Sequence, residues 1–311
     1  KTRATSCKHV IKIWKSENPE DPSTWQWTFA DKLFLQLIQE VHSRNMRIIN
    51  DGVFNHVGIP FWALQDVKNN GEKSAYSDRF NIISYDNPDT PENEFDYEGW
   101  YGIKDLAEFK ENMDGPLPEI KNHFFSIVNR WMDPNNDGDP SDGIDGWRLD
   151  VAELVNINFW KEFNGWVKEI NPDAYINGEV WWEDHHNNKM FNAAPWIQND
   201  VFNSVMNYRF GDAAFKFFID EKKQVSAKKF DRLLHSVIKD YEYENVLHLQ
   251  NMVDSHETER LATAIMNPDR WIDHDGGTWK NWDFRIQMPG KDERQIQKTI
   301  IQTLILDQVN N

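Results

Sequence analysis

Short apolar runs alternate with amphipathic stretches along this chain, and the two periods predict strands and helices in turn. Leu33, Phe34, Leu37, Ile38 and Val41 recur at helical spacing and predict a helix from about Phe29 to Arg44. Thr28, followed by Asp31, predicts its N-cap with an acidic partner in the first turn. A strand is expected at Met46–Val53, then a helix at Leu117–Met132 with Ile120, Phe124, Val128 and Trp131 in register. A strand at Gly146–Val151, a helix near Phe159–Ile170 and a strand at Ala174–Val180 follow. Beyond them the pattern leaves room for a strand near Val201–Tyr208. It then predicts a helix marked by Phe230, Leu233, Leu234, Val237 and Ile238, a strand at Val246–Val253 and a last helix over roughly Glu293–Leu306. Residues 57–116 carry neither period and are rich in Asn, Asp, Pro, Gly and Tyr. A structureless loop of that length is improbable in a compact domain, so the stretch is expected to be an inserted subdomain. The chain thus divides into 1–56, 57–116 and 117–311. Strands alternating with helices, without repeats, indicate an α/β protein with a parallel sheet.

Composition narrows the function classes. Lys and Arg total 34 against 51 Asp and Glu, a formal charge of −17. Such a surface repels nucleic acid and anionic lipid, and a neutral substrate is compatible with it. No window has the length and apolarity of a membrane span. Fifteen Trp are many for 311 residues. Core packing absorbs many of them, and the flat C–H faces of sugars offer a second use. The one cysteine, Cys7, cannot form an intrachain disulfide. Lys1-Thr2-Arg3 has neither an initiator Met nor an apolar leader. Both ends look cut. A periplasmic or secreted location is favoured over a cytoplasmic one.

Polar groups collect where the predicted strands end. Asp51, Asn55 and His56 lie in DGVFNH, Arg148 and Asp150 in GWRLD, Glu179 in NGEVWW, and Asp254, His256 and Glu257 in VDSHETER. The C-terminal ends of parallel barrel strands open on one face, so these groups can converge. A helix cap or a surface salt bridge explains any one motif. Four in series resist that explanation.

The strings DGVFNH, GWRLDVA, GEVWW and DSHET resemble the ordered sequence regions of the α-amylase superfamily, glycoside hydrolase family 13, over about residues 20–300. GVFNHVG and VMNYRF most resemble the neopullulanase and cyclomaltodextrinase branch. The resemblance implies a (β/α)8 barrel whose first two strands and last strand fall outside this chain. It implies Asp150 as nucleophile, Glu179 as acid/base, and Glu257 at the position of a third carboxylate. Asp51, His56, Arg148, His256 and Trp181 would serve the substrate, and Asn55 often belongs to a metal shell in the family. Arg148 shares a strand face with Asp150 by alternation, and its guanidinium would keep that carboxylate ionised. Glu179 must be protonated to release a leaving sugar, so burial and the neighbouring anion should raise its pKa. Carboxylates about 5–5.5 Å apart would give retention through a covalent glycosyl-enzyme.

The chain departs from the family pattern where His256 is followed by Glu257 instead of Asp. A misplacement of about 1 Å can cost a catalytic group roughly 100-fold. Asp254 is a conceivable substitute, but alternation turns it to the opposite face. Asn50 is a second oddity, because an aliphatic is expected in a buried parallel strand. With strands missing, sheet edges and apolar helix faces should be exposed.

Asp133, Asn135 and Asp137 begin a D-x-N-x-D-G run, which suits either a calcium loop or a polar turn. Ile144, at position twelve, cannot ligate, and Asp142 lies near enough to complete a non-standard loop. His185-His186 more often marks a loop than a metal site. No organic cofactor is expected. Two functional readings remain open. One is hydrolysis of α-1,4 bonds, with α-1,6 bonds as a second candidate, in maltooligosaccharides, cyclodextrins, pullulan or starch, with transglycosylation as its close relative. The other is a silent or impaired α-glucan-binding paralogue. The full-length protein is a candidate homo-oligomer.

Overall fold

A computed structural model describes residues 16–198, 200–270 and 282–310. Cys7 lies outside the described residues. The chain forms two compact units, one ending at Ile176 and the other beginning at Asn177.

In the first unit, the helix Phe29–His42 starts on a capping box. The Thr28 hydroxyl accepts from the Asp31 N–H at 3.2 Å, and the Asp31 carboxylate accepts from the Thr28 N–H at 2.8 Å. Such a cap stabilises a helix by about 1 kcal/mol. Its apolar stripe is only partly used. Ile38 is fully buried and Phe34 meets Trp131 edge-on, while Phe29, Leu33 and Leu37 are exposed. The next strand is shorter than its apolar pattern: Asn50–Gly52 pairs in parallel with Gly146–Leu149, and Met46, Ile49 and Val53 are exposed. Apolar faces are therefore open, as expected. Asn50 is half-buried, so the full cost of burying an amide does not arise.

The helices Pro118–Met132 and Ile157–Ile170 bury Ile120, Phe124, Val128 and Met132, and Phe159, Trp160, Phe163 and Val167, respectively. Phe54 lies among their aromatic rings, 4.8 Å from Phe124 and 5.2 Å from Phe163. Aromatic pairs contribute about 0.5–1.5 kcal/mol each beyond burial, so core packing accounts for much of the aromatic composition. Gly146 opens the strand at φ 155°, and a Cβ there would lie 1.9 Å from the Tyr175 carbonyl oxygen. Only glycine fits at that close approach.

The stretch over 57–116 has structure of its own. The helix Trp62–Asn70 buries Ala63, Leu64 and Val67. Antiparallel pairs join His56–Gly58 to Leu106–Glu108, Ile82–Ser84 to Asp96–Tyr97, and Glu111–Asn112 to Gly115–Pro116.

The strand Tyr175–Gly178 runs across the boundary between the units. In the second unit, Ser204–Asn207 pairs in parallel with Asn177 and Gly178 on one side and with Gln250–Asn251 on the other. A Cβ on Gly178 would lie 2.4 Å from the Phe202 ring, so glycine is required just before Glu179. Asn177 is fully buried and its amide donates to the Gln250 side chain. The helix Tyr208–Phe218 is capped by Asn207, whose side chain accepts from the Phe210 N–H at 3.2 Å. It packs on the helix Ala227–Asp240 through stacked Phe217 and Phe230, 4.6 Å apart. Ile219, Leu261, Ala264, Ile265 and Ile300 form a further apolar cluster.

Two expectations need correction. The strand expected over Val246–Val253 is only Gln250–Asn251, because Val246 closes a helical turn, Tyr243–Val246. The helix Tyr208–Phe218 falls partly on residues expected to be strand. No helix among the described residues is long and apolar enough to cross a membrane.

Candidate active site

The strand-end residues fall into two groups, one in each unit. In the first unit, strand register sets Asp51 beside Arg148. Arg148 is buried, and its Nη1 donates to Asp51 Oδ1 at 2.8 Å and to Asp150 Oδ1 at 2.6 Å. One guanidinium thus holds two carboxylates from neighbouring strands, a charge-assisted arrangement of the stronger kind. Asp51 is 57% exposed at its side chain, Asp150 17%. The Asp150 N–H donates to the Gly52 carbonyl at 3.0 Å, which fixes its backbone. The next residue, Val151, is left-handed at φ 47° and ψ 42° while its side chain is buried. A β-branched residue there carries strain of about 1–3 kcal/mol, and that strain turns the chain sharply after Asp150.

His56 is buried beside Asn55, with 3.3 Å between Asn55 Nδ2 and His56 Nδ1, and its ring lies 5.8 Å from Trp100. Burial lowers the His56 pKa and the Asp150 charge opposes that shift only in part. A neutral imidazole offers one donor and one acceptor, the pair a sugar hydroxyl can use. The Asn55 amide pairs with the His56 ring.

In the second unit, Glu179 is 4% exposed, and the Tyr208 hydroxyl donates to its Oε1 at 2.8 Å. Burial, then the Glu179 charge, push the Tyr208 phenol far above its ordinary range, so it stays a donor. The Tyr208 ring stacks on Trp181 at 3.8 Å and 6°. His256 and Glu257 are exposed, and ligand atoms of Glu179, His256 and Glu257 lie within 4.8 Å of one another. A transition ion would have to draw such donors closer, since its ligand bonds are about 2.0–2.2 Å long. Asp254 does not join them. Its carboxylate accepts from the Leu261 N–H at 2.7 Å, at the start of the helix Leu261–Met266.

The run at Asp133 is a turn built on its own side chains. Asp133 accepts from the N–H groups of Asp137 and Gly138, Asn135 accepts from the Asp137 N–H, and Asp137 accepts from the Asp139 N–H. Asp142 also buries Oδ1 with no hydrogen-bond partner. An oxygen-only donor set with an orphaned buried carboxylate oxygen fits a hard cation such as calcium.

The Alpha amylase, catalytic domain family matches residues 28–276. This chain belongs to that family. Its fold is therefore an incomplete (β/α)8 barrel, with five barrel strands among the described residues. Neopullulanase 2 of Thermoactinomyces vulgaris is 38% identical over 231 residues, which are 74% of this chain and 35% of that protein. A cyclomaltodextrinase of Bacillus sp is 36% identical over 76% of this chain and 38% of its own length. Among solved structures, the type III pullulan hydrolase from Thermococcus kodakarensis superposes with a TM-score of 0.67 at 27% identity, covering 86% of this chain and 40% of that one. The chain spans little more than a third of the curated relatives it matches.

Against the family pattern, the structure keeps Asp51, Arg148 and Asp150 together in one unit and Glu179, His256 and Glu257 together in the other. Trp181 is 5% exposed, with its ring stacked on both Tyr208 and Trp182, so its surface is largely spent within the protein. Asn55 makes its side-chain bonds outside the Asp133 loop. The sequence reading missed Tyr208. The rule that found the others reaches Tyr208, the first residue after the strand Ser204–Asn207.

Proposed function

We propose that this chain carries the catalytic centre of a retaining α-glucan hydrolase. Its substrates are α-1,4-linked maltooligosaccharides, cyclodextrins, pullulan or starch, with α-1,6 bonds as a second linkage. The observation that carries this reading is Arg148, whose buried guanidinium bonds Asp150 at 2.6 Å and holds that carboxylate in place beside Asp51. The names of the relatives, neopullulanase and cyclomaltodextrinase, support the substrate class.

In the first step an Asp150 oxygen forms a bond to the anomeric carbon as the bond to the leaving oxygen breaks. That oxygen takes the proton of Glu179. In the second step water attacks the anomeric carbon, gives a proton to the Glu179 carboxylate, and Asp150 leaves with its electron pair. A sugar hydroxyl in place of water gives transglycosylation. His56 and His256 hydrogen-bond the sugar. Calcium, when bound by Asp133, Asn135, Asp137 and Asp142, supplies rigidity to the loop before the Asp150 strand.

The silent-paralogue reading draws on Glu257. Against it, Glu257 offers a ligand atom within 4.8 Å of Glu179 and His256, so the longer arm still reaches the acid. Product chromatography on maltoheptaose and pullulan separates the two readings. Short maltooligosaccharides or panose from the parent, lost in Glu179→Gln, support hydrolysis. An inert parent in which Glu257→Asp restores cleavage supports the silent paralogue.

A further inference from the structure

A buried phenol is aimed at the acid: the Tyr208 hydroxyl donates to Glu179 Oε1 at 2.8 Å. The Tyr208 ring cannot swing away, because it is clamped face to face on Trp181 within a cluster that includes Met206, with Trp182, Met190 and Met252 packed against it. Tyr208 and Glu179 are both more than nine-tenths buried, so water does not readily replace this bond.

We propose that Tyr208 is a positioning residue that keeps Glu179 Oε1 an acceptor and confines the acid's proton to Oε2. The proposal rests on the reading of Glu179 as acid/base. A hydroxyl has one proton to give. That proton goes to Oε1, and an oxygen that accepts it does not also carry the acid's proton. The pair of carboxyl oxygens becomes non-equivalent. The proton to be delivered has one location, and the carboxyl group one rotamer.

Leaving-group dependence tests this. Cleavage of maltoheptaose needs a proton on the leaving oxygen, whereas release of fluoride from maltosyl fluoride does not. Tyr208→Phe keeps the stacked ring and removes the donor. It is expected to lower kcat/KM for maltoheptaose by roughly 10–100-fold and to leave maltosyl fluoride within about threefold. The Glu179 carboxyl carbon resonance in labelled protein, a readout independent of turnover, should move in Tyr208→Phe, which takes the donor from one of its oxygens. Equal losses on both substrates, or an unmoved carboxyl resonance, would overturn the proposal. Full activity of Glu179→Gln on maltoheptaose would instead remove the reading on which it rests.

Discussion

At the scale of single residues, parallel register decides more than residue type does. Asp51, Arg148 and Asp150 are legible in the sequence because strand alternation puts i and i+2 on one face, and pairing adds the neighbour. The structure joins all three through one guanidinium nitrogen. A lysine ammonium ends one bond short of that nitrogen and is a strongly hydrated point charge, so it does not hold both carboxylates from the same place. Arg148→Lys is therefore expected to lower kcat/KM on maltooligosaccharides by roughly 100-fold, with folding retained by circular dichroism. Activity within a few-fold of the parent would show that Arg148 only fills space. Other residues were not legible. The resemblance places Trp181 among the residues that serve the substrate, and nothing in GEVWW announces that its ring stacks on Tyr208 and Trp182. The left-handed Val151 is equally silent, since β-branched residues rarely adopt that conformation.

At the scale of elements, the helices that the pattern marked were read to within a few residues because their stripes and caps are local signals, while Trp62–Asn70, Tyr208–Phe218 and Leu261–Met266 were missed. Strands were over-read. Met46–Val53 shrinks to Asn50–Gly52 and Val246–Val253 to Gln250–Asn251, since apolar runs do not say where a partner strand ends. The inserted stretch was legible only as an absence of pattern. Its last hairpin carries a pH-sensitive contact. Glu111 accepts from the Asn156 N–H at 3.2 Å, at the cap of the helix Ile157–Ile170, and burial raises its pKa from 4.5 to about 7. Between those values the folded chain holds a proton that the unfolded chain has released. Its stability contribution is thus full below 4.5 and is lost as pH rises through about 7. Glu111→Gln, permanently neutral, should unfold at a higher temperature than the parent at about pH 8 and at the same temperature at about pH 4. An equal difference at both pH values would contradict this.

At the scale of the molecule, the charge of −17 and the acidic turn at Asp133 act in the same direction. Both make cation binding favourable, and a ligand held only by the folded state stabilises it by mass action. Millimolar calcium is expected to raise the unfolding temperature by a few degrees more than an equal ionic strength of sodium chloride. Asp142→Asn should remove the excess. Equal effects of the two salts would leave the loop a turn and nothing more. The family was legible because four short strings keep their order, and the match over residues 28–276 bears that out.

The central claim is that Asp150 attacks the sugar and Glu179 assists. A fluorinated glycosyl fluoride that forms the covalent intermediate quickly and releases it slowly tests this most directly, with intact mass and peptide mapping as the readout. The account predicts one added sugar per chain, on the peptide that contains Asp150, and none in Asp150→Asn. No adduct on the parent, or an adduct on another carboxylate, would contradict it.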